Sequence, residues 1–170
     1  MSNQFLVQYI AAANAANANG QYASAVDWCQ RAIGLSPKLP EAWYNLGLAY
    51  RGLGQLDQAM TALKKTDGLT RDNPDAQNSV GLQLLELGAF REAERCLNRA
   101  LFLAPAFVYA YSNLGMLREV QGRFDEAEAA FRKAIQLQPD LAALYVNLSG
   151  LQNLRKRHEL AEVAARRAIS

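Results

Sequence analysis

Near the end of the first third of the chain, the sequence reads Ala42-Trp43-Tyr44-Asn45-Leu46-Gly47-Leu48-Ala49-Tyr50. Bulky residues at spacings of three and four, as at Trp43, Leu46 and Tyr50, indicate one apolar face of a helix. The surrounding pattern recurs with a fixed period of 34 residues, in a series of alanines and a series of glycines: Ala25, Ala59, Ala93, Ala127 and Ala161, then Gly20, Gly54, Gly88 and Gly122. A constant period of this length indicates a repeat array, whose units bury their apolar faces by stacking on one another.

Placing the repeat origin at Leu6 divides the chain into units of one length. These units are residues 6–39, 40–73, 74–107, 108–141 and 142–170, and the last one is incomplete. In each unit an apolar set at helical spacing precedes a glycine-containing break and a second apolar set. We therefore predict an all-α fold, a solenoid of stacked antiparallel helix pairs that forms a single array over residues 1–170.

The residues at fixed places of each unit resemble the tetratricopeptide repeat family. The family has an aromatic residue at the fourth place, and here that place holds Tyr9, Trp43, Gln77, Tyr111 and Tyr145. Its Leu-Gly pair, its alanines and its late proline recur here at matching places, for example at Leu114, Gly115, Ala127, Ala134 and Pro139. The resemblance implies an α–α superhelix of five 34-residue units whose first helices line a concave face.

Several local features carry expectations of their own. The four periodic glycines are expected to end first helices, while Pro40 and Pro74 are expected to open them. In the second unit Thr66-Asp67-Gly68 replaces the usual small and apolar residues, so we expect that second helix to end early. His158 stands where the other units carry Tyr22, Leu56, Phe90 and Phe124, so it is expected to fill a hairpin turn.

Composition limits the class of protein. The chain has 51% hydrophobic and 20% charged residues with a net charge of +2, which is typical of a globular protein with no strong preference for polyanions. We find no signal peptide and no apolar run long enough to span a membrane, so we expect a cytoplasmic protein. Cys29 and Cys96 fall at core places two repeats apart, beyond disulfide reach, and are expected to be buried thiols.

The search for chemistry in the sequence finds no catalytic constellation. His158 is the single histidine, and neither cysteine is expected to reach it, so no metal site and no histidine base is predicted. The period explains the glycines, so no phosphate-binding loop and no cofactor is expected. Basic residues cluster only in Arg155-Lys156-Arg157 and Arg166-Arg167, without interleaved aromatic residues, so no nucleic-acid partner is expected.

The family resemblance implies that a set of first-helix residues faces a concave groove. Amide groups in this set can both donate to and accept from an extended peptide backbone, and the apolar members can anchor side chains. The candidate peptide-binding residues are Asn14, Asn17, Tyr44, Asn45, Leu48, Arg51, Asn78, Leu82, Tyr109, Asn113, Met116 and Asn147.

The asparagines at the sixth place, Asn45, Asn113 and Asn147, leave two interpretations open. They are similar to the asparagine ladder of the O-linked N-acetylglucosamine transferases, which holds a peptide backbone, or they follow the ordinary consensus of a well-formed repeat. Chaperone docking through a carboxylate clamp is not expected, because Ile10 and Asp75 occupy places where that clamp needs cations.

We therefore predict a non-catalytic scaffold that binds a peptide segment or a partner helix in its concave groove. Two alternatives stay open. One is a substrate-selecting module of a larger enzyme, for example a glycosyltransferase, with a catalytic domain beyond Ser170. The other is a self-assembling scaffold that associates through uncapped ends, because the last unit stops inside its second helix before any polar capping helix.

Overall fold

The chain is all-α in a computed structural model that describes the backbone of residues 2–169 and the side chains of residues 4–157 and 159. Nine helices and no strand occupy residues 2–169. They are α1 Ser2–Ala18, α2 Tyr22–Leu35, α3 Pro40–Gly52, α4 Leu56–Leu69, α5 Pro74–Glu86, α6 Phe90–Leu103, α7 Val108–Val120, α8 Phe124–Leu137 and α9 Ala142–Ile169. Neighbouring helices pack in pairs, with α1 against α2, α3 against α4 and α7 against α8.

The helix starts follow the repeat period. Helices α3, α5, α7 and α9 begin at Pro40, Pro74, Val108 and Ala142, while α1 begins at Ser2, upstream of the assumed origin at Leu6. Pro40 and Pro74 open α3 and α5, as predicted, because a proline in the first turn gives up an N–H that has no partner there in any case. The chain forms two compact units, residues 1–99 and residues 100–170.

The periodic glycines end the first helices by adopting a left-handed backbone, which confirms the sequence interpretation. Gly54 has a φ of +73°, and the other three have values of +71° to +73°. After α3 the Gly54 N–H donates to Arg51 O, and the Gln55 N–H donates to Tyr50 O, each at 2.9 Å. These two bonds satisfy carbonyls that the end of a helix otherwise leaves open.

The glycines at the eighth place let the paired helices touch. A Cβ atom added to Gly47 would lie 2.9 Å from Leu63 Cγ, and one added to Gly115 would lie 2.5 Å from Phe131 Cε1. In the first unit the place is taken by Ala13, which packs with Cys29, Leu46 and Ala62 in one buried cluster. Each of these pairs of helices therefore has a small residue opposite a larger one, as close packing requires.

The prediction that α4 ends early is wrong. Helix α4 runs to Leu69 and has 14 residues, the same length as α2, α6 and α8. The Thr66 hydroxyl donates to Ala62 O at 3.1 Å, and the Thr70 hydroxyl donates to Thr66 O at 2.9 Å. These bonds satisfy both hydroxyls within the helix, and tertiary burial of Thr66 and Asp67 outweighs the low helix propensity of this segment.

The prediction of a hairpin turn in the last unit is also wrong. Helix α9 continues for 28 residues from Ala142 to Ile169 without a break. The place that holds the left-handed glycine in the earlier units is Lys156, and a lysine both favours the helix and disfavours a positive φ. The side chain of His158 lies outside the described residues.

Both cysteines are free and buried, as predicted. Burial raises the pKa of Cys29 to about 12, and burial together with the nearby Asp67 carboxylate raises the pKa of Cys96 to about 12. Both thiols are therefore protonated at neutral pH, and the thiolate is the reactive form.

We predict that neither Cys29 nor Cys96 reacts quickly with a water-soluble thiol reagent in the native protein at about pH 8. Both should react fully in denaturant, and the slow native reaction should follow the rate of unfolding, because burial both protonates and shields them. Absorbance of the released thiol measures this, and a fast-reacting thiol in the native protein contradicts it.

Replacing Gly54 by alanine should lower the free energy of unfolding by about 1–2 kcal/mol, because a left-handed backbone strains a residue with a Cβ. Gly34→Ala is the matched control. Gly34 lies inside α2 with open space around its Cα, so alanine should raise the free energy of unfolding there by about 0.5–1 kcal/mol. Urea unfolding measures both changes, and effects of the same sign would contradict the assignment.

Candidate functional site

The first compact unit contains a groove of about 680 Å³ along its first helices. Residues of α1 and α3 line most of it, and residues from the start of α2 and from the end of α4 through the first half of α5 complete it. Six of the twelve predicted peptide-binding residues meet there: Asn14, Asn17, Tyr44, Asn45, Leu48 and Arg51. The groove lining also includes residues that the sequence analysis did not propose, among them Ile10, Tyr22, Thr66, Thr70 and Asn73.

Some amide groups in the groove form hydrogen bonds within the protein, and others face solvent. Asn45 is only 6% exposed, and its Nδ2 donates to Glu41 O at 3.0 Å. Asn17 Nδ2 in turn donates to Asn45 O at 3.0 Å. These contacts tie α1 to α3 and favour the structural interpretation of Asn45. Asn14, by contrast, is exposed and lines the groove.

The charges at the groove are largely balanced. Arg51 forms an ion pair with Glu86, and each of these side chains is more than a third exposed. Burial raises the pKa of Tyr44, and the nearby Arg51 opposes part of that rise, so Tyr44 is a neutral phenol at physiological pH. Glu41 is the acidic residue of the lining. The groove therefore combines apolar and amide surface with one paired cation and one anion.

A buried polar cluster lies beside the groove, and the sequence analysis missed it. Gln77 is 1% exposed and occupies the fourth place, where other units have an aromatic residue. Its Nε2 lies 3.2 Å from Asp67 Oδ1 and 3.3 Å from both the carbonyl and the hydroxyl of Thr70. Asp67 also accepts a 2.6 Å bond from Arg95 Nη2 and a 3.6 Å bond from Cys96 Sγ. The signal available in the sequence was that polar residues replace apolar ones at both Gln77 and Thr66-Asp67.

The Gln77→Leu variant should lose about 1–3 kcal/mol of unfolding free energy, because it leaves the buried Asp67 and Thr70 groups short of a donor. The double variant Asp67→Leu, Gln77→Leu should lose less than the sum of the two single variants, since neither polar partner is then left behind. A double-mutant cycle by urea unfolding measures this coupling. Additive losses would show that the cluster is not an energetic unit.

In the second compact unit, the predicted residues form a more apolar surface. Tyr109 is 55% exposed and Met116 is 36% exposed. Asn113 is buried, and Asn147 Nδ2 donates to Ser112 Oγ at 3.1 Å. Two further exposed residues on these helices are Val120 and Val146. The last two predicted residues, on α5 of the first unit, are half-buried and do not line the groove: Asn78 and Leu82.

Neither a metal site nor a membrane span is found among the described residues. No group of three or more His, Cys, Asp or Glu side chains within them lies close enough to hold a metal ion. In that same part of the chain, no helix is long and apolar enough to cross a membrane.

Comparison with protein families identifies the repeat. A tetratricopeptide repeat profile matches residues 16–81, and a second tetratricopeptide repeat profile matches residues 108–141. The chain belongs to the tetratricopeptide repeat family. Membership in this family points to a protein-interaction module. No curated protein matches the sequence.

Solved structures of tetratricopeptide repeat proteins show the same fold. MamA 41-end from Desulfovibrio magneticus RS-1 is 21% identical, with a TM-score of 0.72 over 97% of this chain and 93% of that one. PilF of Pseudomonas aeruginosa is 18% identical, with a TM-score of 0.77 over 95% and 73%. A thermophilic TPR protein of Thermus thermophilus is 26% identical, with a TM-score of 0.69 over 82% and 77%. These similarities support an all-α solenoid of helix pairs.

Proposed function

We propose that this protein is a non-catalytic scaffold that holds an extended peptide segment of a partner protein in the groove of α1, α3 and α5. The observation that carries the proposal is the groove of about 680 Å³, which successive first helices line with amides and apolar side chains. Family membership supports a protein partner. The cytoplasm remains our expectation from the sequence.

The lining supplies the contacts that an extended peptide needs. Asn14 offers a donor and an acceptor to the peptide backbone, whatever the peptide's sequence. Ile10, Tyr44 and Leu48 offer apolar surface to its side chains. A micromolar complex requires about −8 kcal/mol, while a single amide contact contributes about 0.5–1.5 kcal/mol. The apolar residues therefore supply most of the affinity, and the amides set the direction of the backbone.

The charges of the groove lining favour some classes of peptide over others. Because Arg51 is engaged with Glu86, the groove lining has no free cation to receive a terminal carboxylate. Neutral, internal peptide segments with an apolar side chain therefore fit better than acidic chain ends. A substrate-selecting module of a larger enzyme would use the same contacts, so one test of the groove applies to both interpretations.

The test is selection from a displayed random peptide library, followed by titration of the selected peptide. The Asn14→Ala, Leu48→Ala variant should bind at least about tenfold more weakly, because it removes one amide and one leucine from the lining. The matched control is Gln58→Ala, Leu56→Ala, which removes one amide and one leucine from α4 outside the groove. The control should bind like the wild type.

Two results would contradict the proposal. One is an equal loss of affinity in both double variants when their helical circular dichroism is unchanged. The other is a library selection that returns only acidic C-terminal peptides, since the paired Arg51 gives the groove no carboxylate clamp.

A further inference from the structure

The first half of α9 exposes a face that is covered in the earlier units. In the second unit, the fourth, eighth and eleventh places hold Trp43, Gly47 and Tyr50, which are buried or half-buried. The residues at the same three places of the third and fourth units are also buried or half-buried. The three counterparts in α9 are all exposed: Tyr145, Ser149 and Gln152. Tyr145 alone keeps 46% of its surface accessible.

In the earlier units the second helix of the same unit forms part of this cover. Lys65 Nζ of α4 lies 5.9 Å from the centre of the Trp43 ring, and Leu63 of α4 lies over Gly47. In the last unit α9 continues straight through residues 142–169 instead of turning back. Residues 149 and 165 of one helix are about 24 Å apart at about 1.5 Å per residue, so residue 165 cannot lie over Ser149 of its own chain.

The sequence after residue 157 nevertheless keeps the pattern of a second helix. Ala161 and Ala168 occupy the twentieth and twenty-seventh places, which hold alanine in most units. In the last unit the eighth place holds the larger Ser149 and the twenty-fourth place holds the smaller Ala165. In the second to fourth units, glycine at the eighth place contacts leucine or phenylalanine at the twenty-fourth, and in the first unit the two places hold Ala13 and Cys29. This inverse relation of sizes is what a close helix contact requires.

We propose that α9 of a second copy of this chain covers the exposed face, so that two copies exchange their C-terminal segments reciprocally. In an antiparallel pair of α9 helices, Ser149 of one copy faces residue 165 of the other, and the reverse contact forms at the same time. The two-fold axis then passes near Arg157. The interface is isologous and closed, which is the usual geometry of a helix-exchanged dimer.

Charged residues near this axis predict how the dimer responds to added salt. Arg155 is held by Asp125 at 2.9 Å and by Glu159 at 3.3 Å. Lys156 and Arg157 are exposed, and in the dimer they lie close to their counterparts. Added salt screens this repulsion, so salt should strengthen the dimer.

The first experiment measures the mass of the full chain in solution by light scattering over a range of concentrations. The wild type should show twice 18.7 kDa. Lys156→Gly supplies the residue that ends the first helix in the other units, so it should let the segment fold back and shift the mass to 18.7 kDa. The control Lys156→Ala removes the same side chain but keeps a helix-favouring residue, so it should remain a dimer. A monomeric wild type, or a dimeric Lys156→Gly variant, overturns the proposal.

The second experiment mixes two variants that each add one cysteine, Ser149→Cys and Ala165→Cys, under mild oxidation. The buried Cys29 and Cys96 should not interfere. Reciprocal exchange predicts a disulfide between the two different variants, seen as a dimer on a non-reducing gel. In the double variant, the disulfide should also join two chains. A disulfide confined to one chain, or no cross-link in the mixture, overturns the proposal.

Discussion

The structure depends on the close approach of the two helices in each of the first four repeats. The eighth place of these repeats holds a glycine or an alanine. Opposite each glycine, the second helix places Leu63, Leu97 or Phe131 so close that an added Cβ atom would not fit. Close-packed interiors tolerate little change in volume at such a contact. The helix pairs therefore have a defined separation, and contacts between repeats, such as that of Asn17 Nδ2 with Asn45 O, connect the first helices that line the groove.

The first helices carry two kinds of side chain with different tasks. Asn17 and Asn45 use their amides to connect neighbouring helices, so the repeated asparagine is part of the scaffold in the first compact unit. Asn14, Tyr44 and Leu48 face the groove and are available to a ligand. The buried cluster around Gln77 and Asp67 joins α4, α5 and α6 by polar contacts, where other repeats use aromatic packing. A buried polar network of this kind specifies one arrangement of its helices more strictly than apolar packing does.

Much of the fold could be predicted because the repeat presents the same physical requirement several times. The positive φ of Gly54 and the proline at the start of α3 follow from local backbone chemistry, which the sequence displays directly. The length of α4 could not be predicted from propensity, because burial of Asp67 against Gln77 and Arg95 depends on residues far apart in the chain. The unbroken α9 could have been anticipated from Lys156, since the left-handed residue is missing there. The candidate groove was only partly predictable: the place in the repeat indicated which residues lie on the first helices, but not which amides are already bonded inside the protein.

We propose the groove of the first compact unit as the surface that binds a partner peptide. The most direct measurement is a map of backbone amide chemical-shift changes when the library-selected peptide is added to the full chain. If the groove binds the peptide, the largest changes should cluster on α1, α3 and the start of α5, around Asn14, Tyr44 and Leu48. Changes confined to α7 and α9, or to the outer faces of α2 and α4, would contradict it.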